Sequence, residues 1–529
     1  MIEVGYIAGI TLLLRALPGI LRIHPTGSDP IFHLMIPERI REGKFRYPRE
    51  MRGFLKSGRC TDAGFFHYLL ALLPKTTREF LSPFYGAIID TVHVILIYLF
   101  ILYILQQPEL SSIVSNPSLA ASVAALLFAT SPALLYVGIG PRAYSATPRV
   151  MGELFITITF FCFAIYYWEG IWWMALLSCL FAGLTLTTSR FSTQVLLFFS
   201  IIMVLLLRFP LLLILPILGI IFALILSKGH YKIVLYGHVK FSIRYCRFLR
   251  QFPIADRNSL TPFKDALVNI INGKISESLS SIQYILHNNT FALLVSRNVM
   301  LLLLAYFVIT DFSFITSNKI MIFLISWTAA SFITFILISI KRLLFLGGAE
   351  RYLEHSVPAQ VILLSFFLLN IKELIPLMSY HLLFYILTLI MLYISHRAGS
   401  EGRRCEQGLF DWFKLHNIRG KNILPGLSGH LHYELAFWTD NNVLYPTGER
   451  WLNSEEFELL FEEYPYPNTN LKMLIEKYAL DLIVVRKPSL EYAAKRGWIY
   501  DLSPYIKVFE NDIYTVYETR VPQPVEKQT

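Results

Sequence analysis

The chain has 529 residues, of which 55% are hydrophobic and only 16% are charged, and its formal net charge is +10. Soluble domains average about 25% charged residues, so this composition excludes an ordinary soluble protein and indicates a multispanning membrane protein with a polar portion attached. The five cysteines lie apart, without CxxC or Cys/His spacing, and therefore give no sign of a disulfide framework or a structural zinc site.

Apolar stretches of spanning or near-spanning length recur through the first three quarters of the chain. We predict about eleven transmembrane helices, at 2–23, 83–106, 118–139, 151–168, 171–188, 193–207, 211–227, 299–316, 319–340, 356–371 and 375–395. The first stretch contains Glu3 and Arg15 and lacks a basic leading region, which favours a transmembrane helix over a secretory signal. The predicted fold class is a polytopic α-helical membrane protein.

The region from about 396 onward differs from the rest because it is charged and contains turn residues. Its runs "DLIVVRK" and "DIYTVYET" have the composition of β-strands. The sequence therefore predicts a small soluble α/β domain at 396–529. It follows a transmembrane domain at 1–395 that has a large first loop (24–82) and an amphipathic loop (228–298).

Alternate threading of the eleven spans places nearly all basic residues on one side, which we call the working face. It receives the loops 22–82, 140–150, 189–192, 228–298 and 341–355 together with the soluble domain. The opposite face keeps only Arg208, Lys319 and Lys372 among the 47 lysines and arginines, and Arg15 lies inside the first span. The positive-inside rule assigns the working face to the cytoplasm, but that rule weakens for loops of about 60 residues or more.

The loop segment 228–257 interleaves aromatic and basic residues, as in "GHYKIVLYGHVKFSIRYCRF". This pattern favours an interfacial helix that lies on the lipid headgroups. A second interpretation is a surface that also gathers a lipid-borne phosphate. No nucleic-acid-binding module is recognisable, so nucleic acid is not an expected partner.

A carboxylate, Asp29, follows the first span almost at once, in "TGSDPIFHLMIP". Its structural interpretation is an N-cap with Pro30 at the first helical position, for a helix that is kinked at Pro37 and ends at Gly43. Its functional interpretation is a carboxylate fixed at the membrane surface, because a cap uses only one of the two oxygens. His33 lies one turn later on the same helical face.

Ionisable side chains also crowd the ends of three further helices that open on the working face. They are Arg142, Arg149 and Glu153 before the fourth span, Arg190 after the fifth, and Glu350, Arg351, Tyr352, Glu354 and His355 before the tenth. A single charged residue at a helix end can simply reach to the headgroups. Three clusters of both signs on one face indicate a functional site instead.

Two further ionisable residues, Asp90 and His93, lie inside the second span, at a depth similar to that of Arg15. We predict an Arg15–Asp90 pair that holds the first two spans together, because a charge in a membrane needs a partner. The alternative is that Asp90 and His93 extend the site inward.

The segment "GSDPIFHLMIPERIREGKFRYP" resembles the first external loop of the GT-C superfamily, the membrane glycosyltransferases that use polyprenyl-phosphate-linked sugars. In that superfamily an acidic residue just after the first span is the catalytic aspartate, and Asp29 occupies the matching position. "YSATPRVMGELF" resembles the second external loop of oligosaccharyltransferase catalytic subunits, with Glu153 as the matching acid. "AERYLEHSVP" is similar to the late loop whose arginine meets the lipid phosphate, which implies that role for Arg351.

The resemblance implies an integral membrane glycosyltransferase, with Asp29 as catalytic base and His33 and Glu153 beside it. The implied contacts to substrate or lipid phosphate are Arg142, Arg149, Arg190, Glu350, Arg351, Tyr352 and His355. Use of Mg²⁺ or Mn²⁺ is left open, with Asp29 and Glu153 as ligands if a cation takes part, because the second-loop match has one acid rather than two. The WWDYG motif that reads a peptide sequon is absent, which argues against peptide N-glycosylation.

The implied partners are a polyprenyl-phosphate sugar donor, a sugar acceptor and the lipid bilayer of a cell membrane. The family orientation places the working face and residues 396–529 outside the cytoplasm, against the charge count. A transporter or flippase for lipid-linked sugars is the rival function. Such proteins often contain internal repeats and midplane charges, whereas this sequence has no evident repeat and most of its charges lie at one face. A catalytically silent protein of the same fold is a second rival.

Overall fold

A computed structural model of the chain shows a helical membrane region followed by a small sheet. It describes residues 2–21, 29–48, 50–56, 60–107, 110, 114, 116–135, 145–248, 258–259, 261–310, 318–368, 371–427, 431–445, 454–463 and 466–519. The statements below concern these residues.

The membrane region and its loops are built from α-helices with short 3₁₀ turns between some of them. The helices are α1 Ile2–Ile20, α2 Asp29–Glu42, α3 Phe65–Ala71, α4 Lys75–Leu81, α5 Tyr85–Ile104, α6 Pro117–Thr130, α7 Pro132–Leu135, α8 Pro148–Glu169, α9 Trp172–Leu186, α10 Arg190–Leu207, α11 Ile214–Leu226, α12 Tyr231–Phe248, α13 Thr261–Ile271, α14 Ile275–Asn288, α15 Thr290–Arg297, α16 Val299–Thr310, α17 Lys319–Ser339, α18 Glu350–Glu354, α19 Val357–Phe367 and α20 Ile371–Ala398. The 3₁₀ turns are Ser82–Phe84, Pro210–Leu213 and Lys341–Leu346.

Every predicted apolar stretch coincides with an apolar helix in the described part of the chain. Six spans are long and apolar enough to cross a membrane, namely those in α1, α4–α5, α8, α10, α17 and α20. The pair α15–α16 is a seventh candidate and is bent by 80° at its break. The shorter apolar helices are α6, α9, Pro210–Leu226 and α19. The chain is therefore a multi-pass membrane protein, and eleven spans stays a prediction.

One predicted span, 118–139, differs from a single continuous helix. Asn116 caps the start of α6 by accepting a hydrogen bond from the Leu119 amide, and Pro117 takes the first helical position. The helix ends at Thr130, two residues before Pro132. A proline disfavours helical geometry at the residue before it, which here is Ser131. The chain then forms the short helix α7, Pro132–Leu135, and the structure describes the chain again from residue 145.

The carboxyl-terminal region has the predicted α/β character. Its elements are α21 Ser400–Leu415, β1 Asn422–Leu427, α22 His432–Trp438, β2 Asn442–Val443, α23 Ser454–Leu460, β3 Phe461–Glu463, β4 Tyr466–Pro467, α24 Leu471–Tyr478, β5 Leu482–Arg486, α25 Lys487–Lys495, β6 Ile506–Glu510 and β7 Tyr514–Glu518. Five strands form one sheet in the order β2-β1-β5-β7-β6, in which β1 is parallel to β2 and β5, and β7 is antiparallel to β5 and β6. The two strand-like runs predicted from the sequence are β5 and β7.

The first loop and the carboxyl-terminal sheet share one hydrophobic core, which the sequence did not predict. Phe32, Met35 and Ile36 from α2 are buried in a cluster with residues of α21, α22 and the sheet. The loop chain also pairs with β2, because the Val443 amide donates to the Gly53 carbonyl at 2.8 Å and the Leu55 amide donates back to Val443 at 2.9 Å. The predicted boundary at 396 stays a prediction, but the first loop packs as part of the carboxyl-terminal unit.

The loops that were predicted to share the working face contact one another. The Phe65 amide of the first loop donates to the Thr187 carbonyl at the end of α9, at 2.9 Å. The Tyr47 ring lies 4.5 Å from the ring of His230, just before α12, and α12 in turn contacts the start of α10. These contacts agree with one polar side of the molecule. The predicted helix in 228–257 is present as α12, with Tyr236, Val239 and Ile243 exposed as an interfacial helix requires.

The predicted intramembrane ion pair is present between α1 and α5. Arg15 Nε lies 3.3 Å from Asp90 Oδ2, both side chains are almost fully buried, and Arg15 also donates to the Phe128 carbonyl at 3.0 Å. His93 points toward α8 instead, where its Nε2 lies 2.8 Å from the Thr157 hydroxyl oxygen. The pair thus joins the first two spans, while His93 links the second span to the helix that carries Glu153.

Candidate active site

The helix that carries Asp29 starts and ends close to the predicted positions, with Asp29 as its first helical residue where an N-cap was predicted. Helix α2 begins at Asp29, contains Pro37 and ends at Glu42, one residue before the predicted stop. The Asp29 side chain lies outside the described part of the structure, so its role stays a prediction. The turn that carries it is fixed by burial of Phe32 and by contacts of His33, which place this turn against α3.

His33 contacts a histidine that the sequence analysis did not single out. Its Nδ1 lies 3.0 Å from Nε2 of His67 in α3, and the two rings are stacked with centroids 5.2 Å apart. His67 is fully buried, and its Nδ1 lies 3.1 Å from the Ala63 carbonyl oxygen. The Phe66 ring meets His33 edge-on at 6.3 Å. His33 and His67 therefore join the start of α2 to α3, and the Phe66 ring packs against this pair.

A buried ion cluster lies at the start of α8. Thr147 and Pro148 begin this helix, which places Arg149 in its first turn. Arg149 Nη2 donates to both carboxylate oxygens of Glu354, at 2.7 Å and 2.5 Å, and Arg149 Nε lies 3.5 Å from Glu153 Oε1. All three side chains are buried, so the guanidinium is held between two carboxylates. The structure thus joins the first and the third of the predicted clusters, before the fourth and the tenth predicted spans, into one.

His355 continues this cluster toward α10. Its Nε2 lies 3.2 Å from the Ser192 hydroxyl oxygen and its Nδ1 lies 2.8 Å from the Arg351 carbonyl oxygen. Helices α8 and α10 approach each other closely here. A Cβ atom added at Gly152 would collide with the side chains of Ser189 and Ser192. Glycine at this position lets α10 bring its first turn next to the ion cluster.

The other two basic residues of the site stack on aromatic rings. The Arg351 guanidinium carbon lies 4.1 Å from the centroid of the Phe191 ring, and that of Arg190 lies 3.6 Å from the centroid of the Phe241 ring. A guanidinium over an aromatic face is attracted by the negative face of the ring, and Arg190 Nη2 also donates to the Ser242 hydroxyl oxygen at 3.4 Å. Phe241 belongs to α12, so the amphipathic loop closes this side of the site.

Tyr352 and Glu350 complete the late-loop cluster. Burial raises the pKa of the Tyr352 phenol, which therefore stays protonated and donates to Gln194 Oε1 at 2.9 Å. The Glu350 side chain is buried against Gly348, where an added Cβ would meet Glu350 Oε1 at 2.7 Å. Both residues thus pack inside the site and shape it.

The turn that carries Asp29 is connected to the ion cluster through α3. Phe66, next to His67, packs with Ala146 and Met151, which flank Arg149 in sequence. The Phe65 ring lies 5.8 Å from that of Phe155, one turn farther along α8. The structure therefore places Arg149, Glu153, Arg190, Glu350, Arg351, Tyr352 and His355 around the starts of α8, α10 and α18, and His33 is linked to them through the packing of α3. Arg142 lies outside the described residues.

The fit to a divalent cation can be tested on the side chains that are described. Among them, no three His, Cys, Asp or Glu residues come together as a metal site requires. Glu153 contacts the Arg149 guanidinium, whose positive charge would oppose a cation at that carboxylate. Use of Mg²⁺ or Mn²⁺ by Asp29 and Glu153 stays a prediction, and the reaction steps are assigned to side chains of the chain alone.

The polar contacts of His67, Glu354 and Ser192 with other site residues were not predicted from the sequence. His67 stands in "FFHYLLALLP", near the end of the first loop, and Glu354 stands in "AERYLEHSVP". The signs in the sequence that these residues take part in the site were a histidine in the first segment and a second glutamate in the other. Their partners come from distant parts of the chain, so only the packing of the helices identifies them.

Comparisons with known proteins support the fold. No family model matches the chain, and no curated protein matches it in sequence. The crystal structure of the Archaeoglobus fulgidus oligosaccharyltransferase in the apo form aligns with a TM-score of 0.53 and 13% identity, over 94% of this chain and 71% of that one. ArnT from Cupriavidus metallidurans in the apo state aligns with a TM-score of 0.42 and 12% identity, over 96% and 98%. The first of these similarities shows that this chain shares the fold of that oligosaccharyltransferase.

Proposed function

We propose that the chain is a membrane glycosyltransferase that moves a sugar from a polyprenyl-phosphate-linked donor to a protein, lipid or glycan acceptor. The observation that carries the proposal is a set of buried, oppositely charged side chains at the helix ends of a GT-C fold, beside the turn that carries Asp29. Buried ionisable groups are costly in a membrane protein and cluster at functional sites. A structural ion pair would need two such residues, whereas the starts of α8 and α18 gather six buried ones, namely Arg149, Glu153, Glu350, Arg351, Glu354 and His355.

In the proposed reaction Asp29 is the general base. It takes the proton of the acceptor group while the acceptor atom forms a bond to the anomeric carbon of the sugar. The bond from that carbon to the phosphate oxygen breaks, and the electron pair leaves with the polyprenyl phosphate. One base and no carboxylate nucleophile favour inversion at the anomeric carbon, by analogy with the two geometries of glycosidases.

The leaving phosphate requires positive charge near the membrane surface. Arg351, to which the family resemblance assigns the lipid phosphate, and Arg190 are our candidates for this role, because a guanidinium can bind a phosphate with two parallel hydrogen bonds. Arg149 is already held by Glu354 and Glu153, so an anion would have to compete with two carboxylates for it. We propose that Arg149 instead holds α8 against α18 through its ion pair with Glu354.

The proposal can be tested in cells that lack the protein. The deletion strain should accumulate an unused lipid-linked sugar and lose the corresponding glycan, which mass spectrometry of both fractions would detect. Asp29→Asn should insert and fold but fail to restore the glycan, because asparagine is also an excellent N-cap and only the charge is removed. Glu50→Gln, an exposed carboxylate of the same loop, is the matched control and should restore it.

Two outcomes would contradict this assignment. Full activity of Asp29→Asn would leave Asp29 as a helix cap only. If vesicles that contain the purified protein move the lipid-linked sugar to the other leaflet without consuming it, and Asp29→Asn does the same, the rival transporter function would be correct.

The location of the working face is proposed to be outside the cytoplasm. In a background without the native cysteines, a cysteine at the exposed position Ser400 should react with a membrane-impermeant thiol reagent on intact cells. A cysteine at Gln106, exposed after α5 on the opposite side, should react only after the membrane is opened. The reverse pattern would place the working face in the cytoplasm and would remove the argument for an externally presented donor.

A further inference from the structure

Helix α12 has two faces with different surroundings. On one face Tyr231 and Val234 are buried, and a Cβ atom added at Gly237 would collide with the Thr61 side chain, so this face packs tightly on the protein. The other face is an exposed apolar stripe with helical spacing, which consists of Leu235, Tyr236, Val239 and Ile243. Nothing in the described part of the chain covers this stripe.

The position and charge of α12 identify the membrane surface as the layer that covers the stripe. The helix begins at Tyr231, shortly after the apolar helix Pro210–Leu226 ends, and the Ser227 hydroxyl oxygen accepts from the Tyr231 amide at 2.9 Å. Its sequence contains lysines and arginines but no acidic residue. Lys240 Nζ lies 5.9 Å from the centroid of the Tyr236 ring, so a cation borders the stripe. An apolar stripe on a purely basic helix fits a leaflet with anionic headgroups.

Two neighbouring residues of α12 hold a basic residue of the site. The Arg190 guanidinium carbon lies 3.6 Å from the centroid of the Phe241 ring, and Arg190 Nη2 donates to the Ser242 hydroxyl oxygen at 3.4 Å. The Ser242 hydroxyl donates its own hydrogen to the His238 carbonyl at 2.9 Å, so its oxygen acts as the acceptor for Arg190. Arg190 is the first residue of α10, and α12 therefore contacts the site where α10 begins.

We propose that α12 docks through its apolar stripe on a leaflet that contains anionic lipids, and that this docking holds Phe241 and Ser242 against Arg190. Val239 of the stripe and Phe241 lie within one turn of the same helix, so a movement of the stripe out of the membrane also moves Phe241. The consequence for transfer rests on the proposed function, in which Arg190 is a candidate contact of the lipid phosphate. The membrane surface then regulates the site, because Arg190 is held in place only while α12 is docked.

Docking is tested with nitroxide labels on the full-length protein in lipid nanodiscs, in a background without the native cysteines. A label at Val239→Cys should be accessible to oxygen and protected from a water-soluble nickel chelate, because oxygen concentrates in the apolar layer. A label at Lys472→Cys, exposed in α24, should show the reverse. If the chelate reaches both labels equally well, the stripe is not docked and the proposal is overturned.

The contribution of anionic lipid is tested with two charges of opposite sign at one position. Val239→Glu should be repelled by an anionic leaflet and Val239→Lys attracted, with the label now at Ile243→Cys. Each unit of charge near such a surface changes the docking equilibrium about fivefold, so the two variants should differ about 30-fold. In zwitterionic nanodiscs they should differ little, which also shows that the Glu variant folds. Equal protection of the two variants in anionic nanodiscs would contradict the proposal.

The coupling of docking to Arg190 is measured by the rate at which phenylglyoxal, a reagent for guanidinium groups, modifies this residue. Mass spectrometry should show slow modification in the wild type and in Val239→Lys. In Val239→Glu the rate should rise in proportion to the undocked fraction. Arg404, exposed in α21, is the control and should react at one rate in all three proteins. An unchanged Arg190 rate after α12 has left the membrane would overturn the coupling.

A donor assay separates this inference from the proposed function. With the lipid extract of the deletion strain as donor, loss of the lipid-linked sugar is followed by mass spectrometry. Val239→Glu should lower kcat/KM relative to Val239→Lys and should have no further effect in an Arg190→Ala background. If the two effects multiply, the inference fails and the proposed function stands. If the wild type consumes no donor, the proposed function fails, and the label and phenylglyoxal measurements still decide docking and coupling.

Discussion

Replacement of Asp90 by asparagine should destabilise the membrane domain by about 3–5 kcal/mol, because it leaves a buried arginine without its carboxylate. Arg15 Nε and Asp90 Oδ2 are 3.3 Å apart. Two unit charges at that distance attract by about 5 kcal/mol at an effective dielectric constant of about 20. Asparagine keeps the size of the side chain, and Arg15 keeps its hydrogen bond to the Phe128 carbonyl, so the loss reports the charge itself.

The measurement is a double-mutant cycle of Asp90→Asn and Arg15→Met. The free energy of unfolding is followed by tryptophan fluorescence as SDS is added to the protein in mixed micelles. The double variant should be more stable than the sum of the single losses predicts, with a coupling energy of about 1–3 kcal/mol. The partly exposed pair Lys56–Glu456, at 3.2 Å, is the control, and Glu456→Gln should cost less than about 1 kcal/mol.

Two results would refute this reasoning. A cost below about 1 kcal/mol for Asp90→Asn would show that water or another group compensates the Arg15 charge. Strictly additive single losses would show that the two charges do not stabilise each other. In either case α1 and α5 would be held together by their apolar contacts alone.

Burial lowers the pKa of His230, so the unfolded chain binds more protons as the pH falls through about 6.5, and the stability of the wild type should fall with it. His230→Gln should therefore lose less of its thermal midpoint between about pH 8 and about pH 5, and an equal loss would contradict this. Gly152→Ala should lower the thermal midpoint by displacing Ser192, at a cost of about 1–3 kcal/mol, whereas Gly9→Ala, which has open space around it, should be nearly neutral. Arg351→Ala should reduce kcat/KM for the donor by the equivalent of about 2–5 kcal/mol, with only partial recovery in Arg351→Lys, because lysine lacks the planar fork. Unchanged kcat and KM in Arg351→Ala would rule out the phosphate contact.

Local features of the sequence predicted those parts of the structure that depend on short-range physics. The start of α2 at Asp29 follows from the Asp-Pro pair, and its end follows from Gly43. The Arg15–Asp90 pair could also be predicted, since a charge in an apolar helix needs a partner and few are available at that depth.

Partners from distant segments could not be predicted in this way. Glu354 and Arg149 lie far apart in the chain, and each could equally have reached the headgroups as an isolated charge at a helix end. His67 reads as an ordinary core residue of a short apolar helix until α2 is packed against it. The candidate site was thus predicted as residues on one face, and its pairings came from the packing of α2, α3, α8 and α18.

The pairing of the first loop with β2 has a consequence for how the molecule is made. Gly53 and Leu55 emerge during synthesis before most of the described membrane helices, whereas Val443 emerges after them. The shared core around Met35 can therefore close only after the intervening helices have been inserted and the sheet has formed. Until then the helix that begins at Asp29 lacks the surface that holds it. A chain that is released before residue 443 should carry the described membrane helices and still lack this packing, so synthesis of the carboxyl-terminal sheet controls when the protein becomes competent.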